Sequence, residues 1–68
     1  MTLDDYRKEC GWSILEMAKR ANIDFGTMKR AISGETITAR SAKAIVKAIS
    51  EEMKQTVSIR DIEGLNIK

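Results

Sequence analysis

Apolar side chains recur along this chain at intervals of three and four residues rather than two, the spacing that buries one face of a helix. The first such stretch predicts a helix over residues 3–10, with Thr2 as its N-cap and Leu3, Tyr6 and Cys10 turned inward; Gly11 ends it. A second runs from Ser13 to about Ala21, carrying Ile14, Met17, Ala18 and Ala21 on its inner face. Ser13 and Glu16 have the spacing of a capping box, in which each side chain satisfies a backbone N–H of the first turn. Trp12, just before that cap, is placed to pack back on the core.

Asn22 tolerates positive φ, Ile23 is an apolar anchor and Asp24 is a good N-cap, so a tight turn leads into a third helix over residues 25–33 that stops at Gly34. Its inner face is Met28, Ala31 and Ile32; Phe25, Gly26, Lys29, Arg30 and Ser33 share the other. Thr38 caps a fourth helix whose stripe of Ala42, Ile45, Val46, Ile49 and Met53 carries it to about Lys54, while Arg40, Lys43 and Lys47 line another side. Beyond it, Ser58 either opens a short turn that packs Ile59 and Ile62 inward, or Thr56–Ile59 is extended. Leu65–Lys68 has no readable pattern. The expectation is an all-α domain of four to five helices.

At 68 residues the chain has material for one hydrophobic core. Its 43% apolar and 32% charged residues fit a globular domain rather than a disordered one. It contains no run long and apolar enough for a membrane span, and Asp4 and Asp5 after Met1 are wrong for a signal peptide, so a cytoplasmic protein is expected. The single Cys10 and the lack of histidine leave no usual zinc site and no partner for a catalytic thiolate. No phosphate loop and no paired-carboxylate site accompanies them. The sequence therefore points away from an enzyme and calls for no metal, cofactor or small-molecule ligand; Cys10 reads as a small buried apolar group.

Charge changes the picture when it is taken by segment. The net +2 of the whole chain conceals −2 over residues 1–18, +5 over residues 19–47 and −1 over residues 48–68. The central excess comes from Lys19, Arg20, Lys29, Arg30, Arg40, Lys43 and Lys47 against Asp24 and Glu35. Such concentration suits a surface that meets phosphates, and equally an ordinary solvated face.

The segment SILEMAKRANIDFGTMKRAISGE, residues 13–35, resembles the helix-turn-helix of the lambda-repressor and Cro family, also called the Xre family. Ala18 stands where that family keeps a small residue at the helix crossing, and Asn22 stands at its turn position. Met17, Ile23 and Met28 match the flanking apolar anchors; Gly11-Trp12-Ser13 and Gly34-Glu35 match common lead-in and exit residues. The likeness covers about residues 2–49. Asn22 replaces the preferred glycine, Gly26 interrupts the first turn of the third helix, and the link over Ser50–Val57 is longer than usual.

The resemblance implies a lambda-repressor-like domain that inserts helix 25–33 into the roughly 12 Å major groove of duplex DNA. Carried over position by position, it assigns base reading to Phe25, Gly26, Lys29 and Arg30, with Arg30 suited to bidentate contact with guanine. Phosphate contacts fall on Ser13, Thr27, Arg40 and Lys43. Lys19, Arg20 and Lys47 are read as solubility charges. One such domain spans only about four to six base pairs, so the resemblance implies a homodimer on two half-sites. Ile59, Ile62, Leu65 and Ile67 are either its interface or part of the monomer core. The function implied is that of a transcriptional regulator, of the phage, plasmid or mobile-element repressor type. The rival expectation is a protein-interaction module of the same fold, antitoxin-like or an anti-activator.

Overall fold

The computed structural model describes residues 1–68. Four helices carry the chain: α1 (Leu3–Cys10), α2 (Ile14–Ala21), α3 (Phe25–Ile32) and α4 (Ala39–Met53). Each begins at a side chain that accepts a hydrogen bond from a first-turn N–H, namely Thr2 from Asp5, Ser13 from Glu16, Asp24 from Thr27 and Thr38 from Ser41. These contacts satisfy donors that no helix can pair internally.

Helix ends are equally local. After α1, α2 and α3 the chain turns through a residue in the left-handed region, Gly11, Asn22 and Gly34 respectively. At each the same pair of hydrogen bonds closes the helix: after α2, Asn22 N–H donates to Lys19 and Ile23 N–H to Ala18. Asn22, at φ 57° and ψ 43°, is accommodated because asparagine is among the few non-glycine residues that visit this region readily. At the end of α3, Ser33 remains helical in its torsions and Gly34 makes the turn, as the sequence leads one to expect. Lys54 ends α4 in the same left-handed conformation.

Two expectations need correction. The domain is mostly helical but not wholly so, because β1 (Thr36–Ile37) pairs in parallel with β2 (Asn66–Ile67), Thr36 opposite Asn66 and Ile37 opposite Ile67. An isolated parallel bridge also joins Thr2 to Glu63. Strands of two residues are too short to show an alternating pattern, which is why the tail was unreadable. The turn after Ser58 forms as a short 3-10 segment at Ile59–Asp61. The second correction concerns the Ser13 capping box, of which only one half forms. Ser13 Oγ accepts from Glu16 N–H at 3.0 Å, but the Glu16 carboxylate turns to Arg20, with Nε at 2.8 Å. A charged donor one turn along the helix competes successfully with a neutral backbone N–H. Both halves of a capping box are present instead at Thr2 and Asp5.

All fifteen buried residues are apolar, and they form one cluster to which every helix contributes. Met17, Met28, Ile45 and Ile49 are completely enclosed, from α2, α3 and α4. Ala18 and Ala21 are buried on α2, which packs against both α3 and α4. Trp12 is buried at the entry to α2 as expected, with the Arg20 guanidinium 5.7 Å from its ring centre. Cys10 is only half-buried at the edge of this cluster, where desolvation, and then the negative charges of Glu52 and Glu9, push its thiol pKa up. The tail closes the core: Ile62 is buried, while Ile59, Leu65 and Ile67 pack against the cluster. Ile62 thus serves the monomer interior, while Ile59, Leu65 and Ile67 pack against it and remain partly exposed.

Candidate nucleic-acid interface

The exposed face of α3 carries the candidate base-reading residues. Asp24 starts this face, because its Oδ2 accepts the Thr27 N–H at 3.2 Å and so aligns the first turn. Gly26 lies under that carboxylate: a Cβ built there would stand 2.9 Å from Asp24 Oδ2 and 3.6 Å from Arg30 Nη1. The glycine, unfavourable for a helix by up to about 1 kcal/mol, therefore makes room for the Asp24 cap, while Arg30 would meet the added carbon at ordinary contact distance. Phe25 is 43% exposed, a large apolar surface at the leading end of the helix.

Both cations of the helix fold back along it. Lys29 Nζ lies 5.5 Å from the centre of the Phe25 ring. Arg30 Nη2 donates to Thr27 Oγ1 at 3.0 Å, so the guanidinium rests beside the hydroxyl assigned to phosphate. Of the eight candidate residues, Phe25 and Lys29 form one contact group and Thr27 and Arg30 another. Ser13, Arg40 and Lys43 are exposed and line none of the clefts of the molecule.

Three of the twelve cationic side chains are paired with carboxylates. Arg7 and Lys8 are bridged to Asp4, and Arg20 to Glu16 and Glu52. By contrast Lys29, Arg30, Arg40 and Lys43 have no carboxylate within 4.0 Å. Arg20 is therefore not a bare solubility charge as the sequence suggested. It ties α2 to α4 and covers Trp12, and its own pKa is raised by the Glu16 hydrogen bond.

A cleft of about 150 Å³ lies beside this face, lined by Thr27 and Arg30 of α3, Thr36 and Ile37 of β1, Thr38 and Ser41 at the start of α4, and Lys68. Sequence reasoning recognised Thr38 only as a cap and missed Thr36, Ser41 and Lys68. The cluster of hydroxyl residues just before α4 was a visible signal for the first two; nothing local pointed to Lys68.

No group of three or more His, Cys, Asp or Glu side chains is arranged to hold a metal ion, and no helix is long and apolar enough to cross a membrane. Compared with known proteins, the chain matches no family model, no curated protein and no solved structure at a significant level.

Proposed function

We propose that this domain is a sequence-specific, duplex-DNA-binding transcriptional regulator of the lambda-repressor and Cro type, acting in the cytoplasm on the nucleoid as a homodimer. The observation that carries this reading is the exposed face of α3, which presents Phe25, Lys29 and Arg30 with no carboxylate partner for either cation and is followed on α4 by Arg40 and Lys43, likewise without one. Unpaired cations at a surface attract phosphates, and the counterions released on contact make binding strongly salt-dependent. α3 enters the major groove. Arg30 leaves Thr27 to hold a guanine edge, Lys29 reaches a base or phosphate, and Phe25 touches a thymine methyl group. Gly26 lets the backbone approach closely. Thr27, Ser13, Arg40 and Lys43 bind the flanking phosphates and set the register.

The exposure of Phe25, 43%, favours a second reading, in which the same fold docks on another protein through Phe25 and its neighbours on α3. The two readings part on one experiment, selection of bound sites from random duplex DNA at two salt concentrations. Recovery of a roughly palindromic site with affinity that falls steeply with salt supports the regulator. Absence of salt-dependent binding passes the function to the protein-interaction module.

A further inference from the structure

Two clefts of about 160 and 320 Å³ adjoin between α2 and α4 and share Arg20, Ala48 and Glu51, so they form one continuous groove. Its floor is made of small side chains, Ala21 of α2 with Ala44 and Ala48 one turn apart on α4. Lys47 and Glu51, both exposed, stand at its margin. None of the eight residues assigned to DNA lines it.

The charges of this groove are unequally satisfied. Arg20 bridges Glu16 at 2.8 Å and Glu52 at 3.8 Å, and its guanidinium covers Trp12. Lys47 and Glu51 have no oppositely charged atom within 4.0 Å, although a separation of four residues puts them on one face of α4. Lysine N-terminal to glutamate is the weaker order for a pair at that spacing. Glu51 also lies in the last turn of α4, where the unpaired carbonyls carry partial negative charge, and that turn contains no cation. Arg20 offsets Glu52 there; no side chain of the same chain does so for Glu51.

We propose that this groove is the contact surface of a homodimer, occupied by the same groove of a second copy. A two-fold axis passing near Ala48 runs the two α4 helices antiparallel, so that Lys47 of each copy faces Glu51 of the other. Alanine at positions 44 and 48 lets the helices approach closely. A different partner must bring a cation for Glu51 and a carboxylate for Lys47 at this one spacing, whereas a second copy brings both by symmetry. The proposal rests on the homodimeric reading above, for which it names the surface, and it leaves Phe25, Lys29 and Arg30 uncovered. With only the groove and its margins in contact, the dimer belongs to the weak class that buries under about 1,200 Å², and dilution dissociates it.

The test is sedimentation equilibrium in the absence of DNA, from micromolar to millimolar protein, on the wild type, Lys47→Glu and Glu51→Lys. Both side chains are exposed, and circular dichroism verifies that each variant is folded. Each substitution sets like charges against one another at both cross-contacts and is expected to weaken association at least about tenfold. An equimolar mixture of the two variants recovers wild-type association, because each contact of the mixed pair again joins opposite charges. Loss of packing or a change of net charge is not repaired by mixing. A wild type that remains monomeric at millimolar concentration overturns the interface and leaves the groove to a different protein. Variants that associate like the wild type, or a mixture no tighter than either variant alone, overturn it as well. A monomeric protein that still selects a duplex site keeps the DNA-binding reading, whereas a charge-dependent dimer that binds no duplex loses that reading while the groove interface stands.

Discussion

Arg30 Nη2 donates a hydrogen bond to Thr27 Oγ1 at 3.0 Å, one turn back along the same helix. The residue proposed to recognise a base is thus held in the free protein beside a residue proposed to bind phosphate. The contact is solvent-exposed, so releasing the guanidinium costs little, and water replaces the lost bond. If Arg30 then reads guanine, Arg30→Ala relaxes preference at one position of the site by about 1–3 kcal/mol, between about five- and 150-fold in relative affinity. Arg30→Lys does not restore that preference, because an ammonium cannot form the two-pronged contact. Competition titrations against every base at each position measure this. Equal weakening on all sequences assigns Arg30 to phosphate alone.

Gly26 separates stability from binding. A Cβ in Gly26→Ala meets Asp24 Oδ2 at 2.9 Å and strains the Thr27 cap, while alanine favours the helix by up to about 1 kcal/mol. The two effects oppose each other, and the expected change in unfolding free energy is under about 1 kcal/mol. Binding to DNA should fall much further, because the new methyl group stands between the α3 backbone and the groove. Urea unfolding and duplex titration of the same variant check the two halves; unchanged affinity removes the close-approach role.

Asn66 is expected to act through the chain after α3. Loss of its bond to the Gly34 carbonyl in Asn66→Ala lowers stability by about 0.5–1.5 kcal/mol, the ordinary worth of one such hydrogen bond. The Lys68 amide, bonded to Ile37, then exchanges its hydrogen faster, whereas amides within α2 keep their protection. Hydrogen exchange followed by NMR distinguishes this local release from a general loss of stability.

Among the carboxylates that couple stability to pH are two held by backbone N–H groups. The Thr2 backbone N–H holds Asp5 below the ordinary carboxylate range, and the Ser58 N–H does the same for Asp61, each with help from the neighbouring hydroxyl. A carboxyl whose pKa is lower folded than unfolded stabilises the fold above its unfolded pKa. That contribution fades as pH falls through the folded value. Asp5→Asn and Asp61→Asn should therefore lower the urea midpoint at pH 6, with the deficit shrinking below about pH 4 and vanishing once the wild-type carboxyls are protonated. A deficit that persists unchanged at the lowest pH points to packing rather than charge.

The parts of this protein legible in its sequence are those whose partners lie within one turn. Thr2, Ser13, Asp24 and Thr38 each cap a first-turn N–H three residues ahead, and Gly11, Asn22 and Gly34 each close the helix just behind. Such bonds depend on local geometry alone, so residue type and spacing locate them, together with the buried stripes of α2, α3 and α4. The exposed basic face of α3 followed from the same periodicity. Only tertiary packing could decide the rest. Arg20 found Glu52 thirty-two positions away on α4. Thr36 and Asn66 pair across thirty residues in strands too short to leave a pattern, and that pairing carries Lys68 to the cleft beside Arg30. Contacts of this kind form only after the core of α1–α4 has brought distant backbones within hydrogen-bonding distance, and no short stretch of sequence contains both partners.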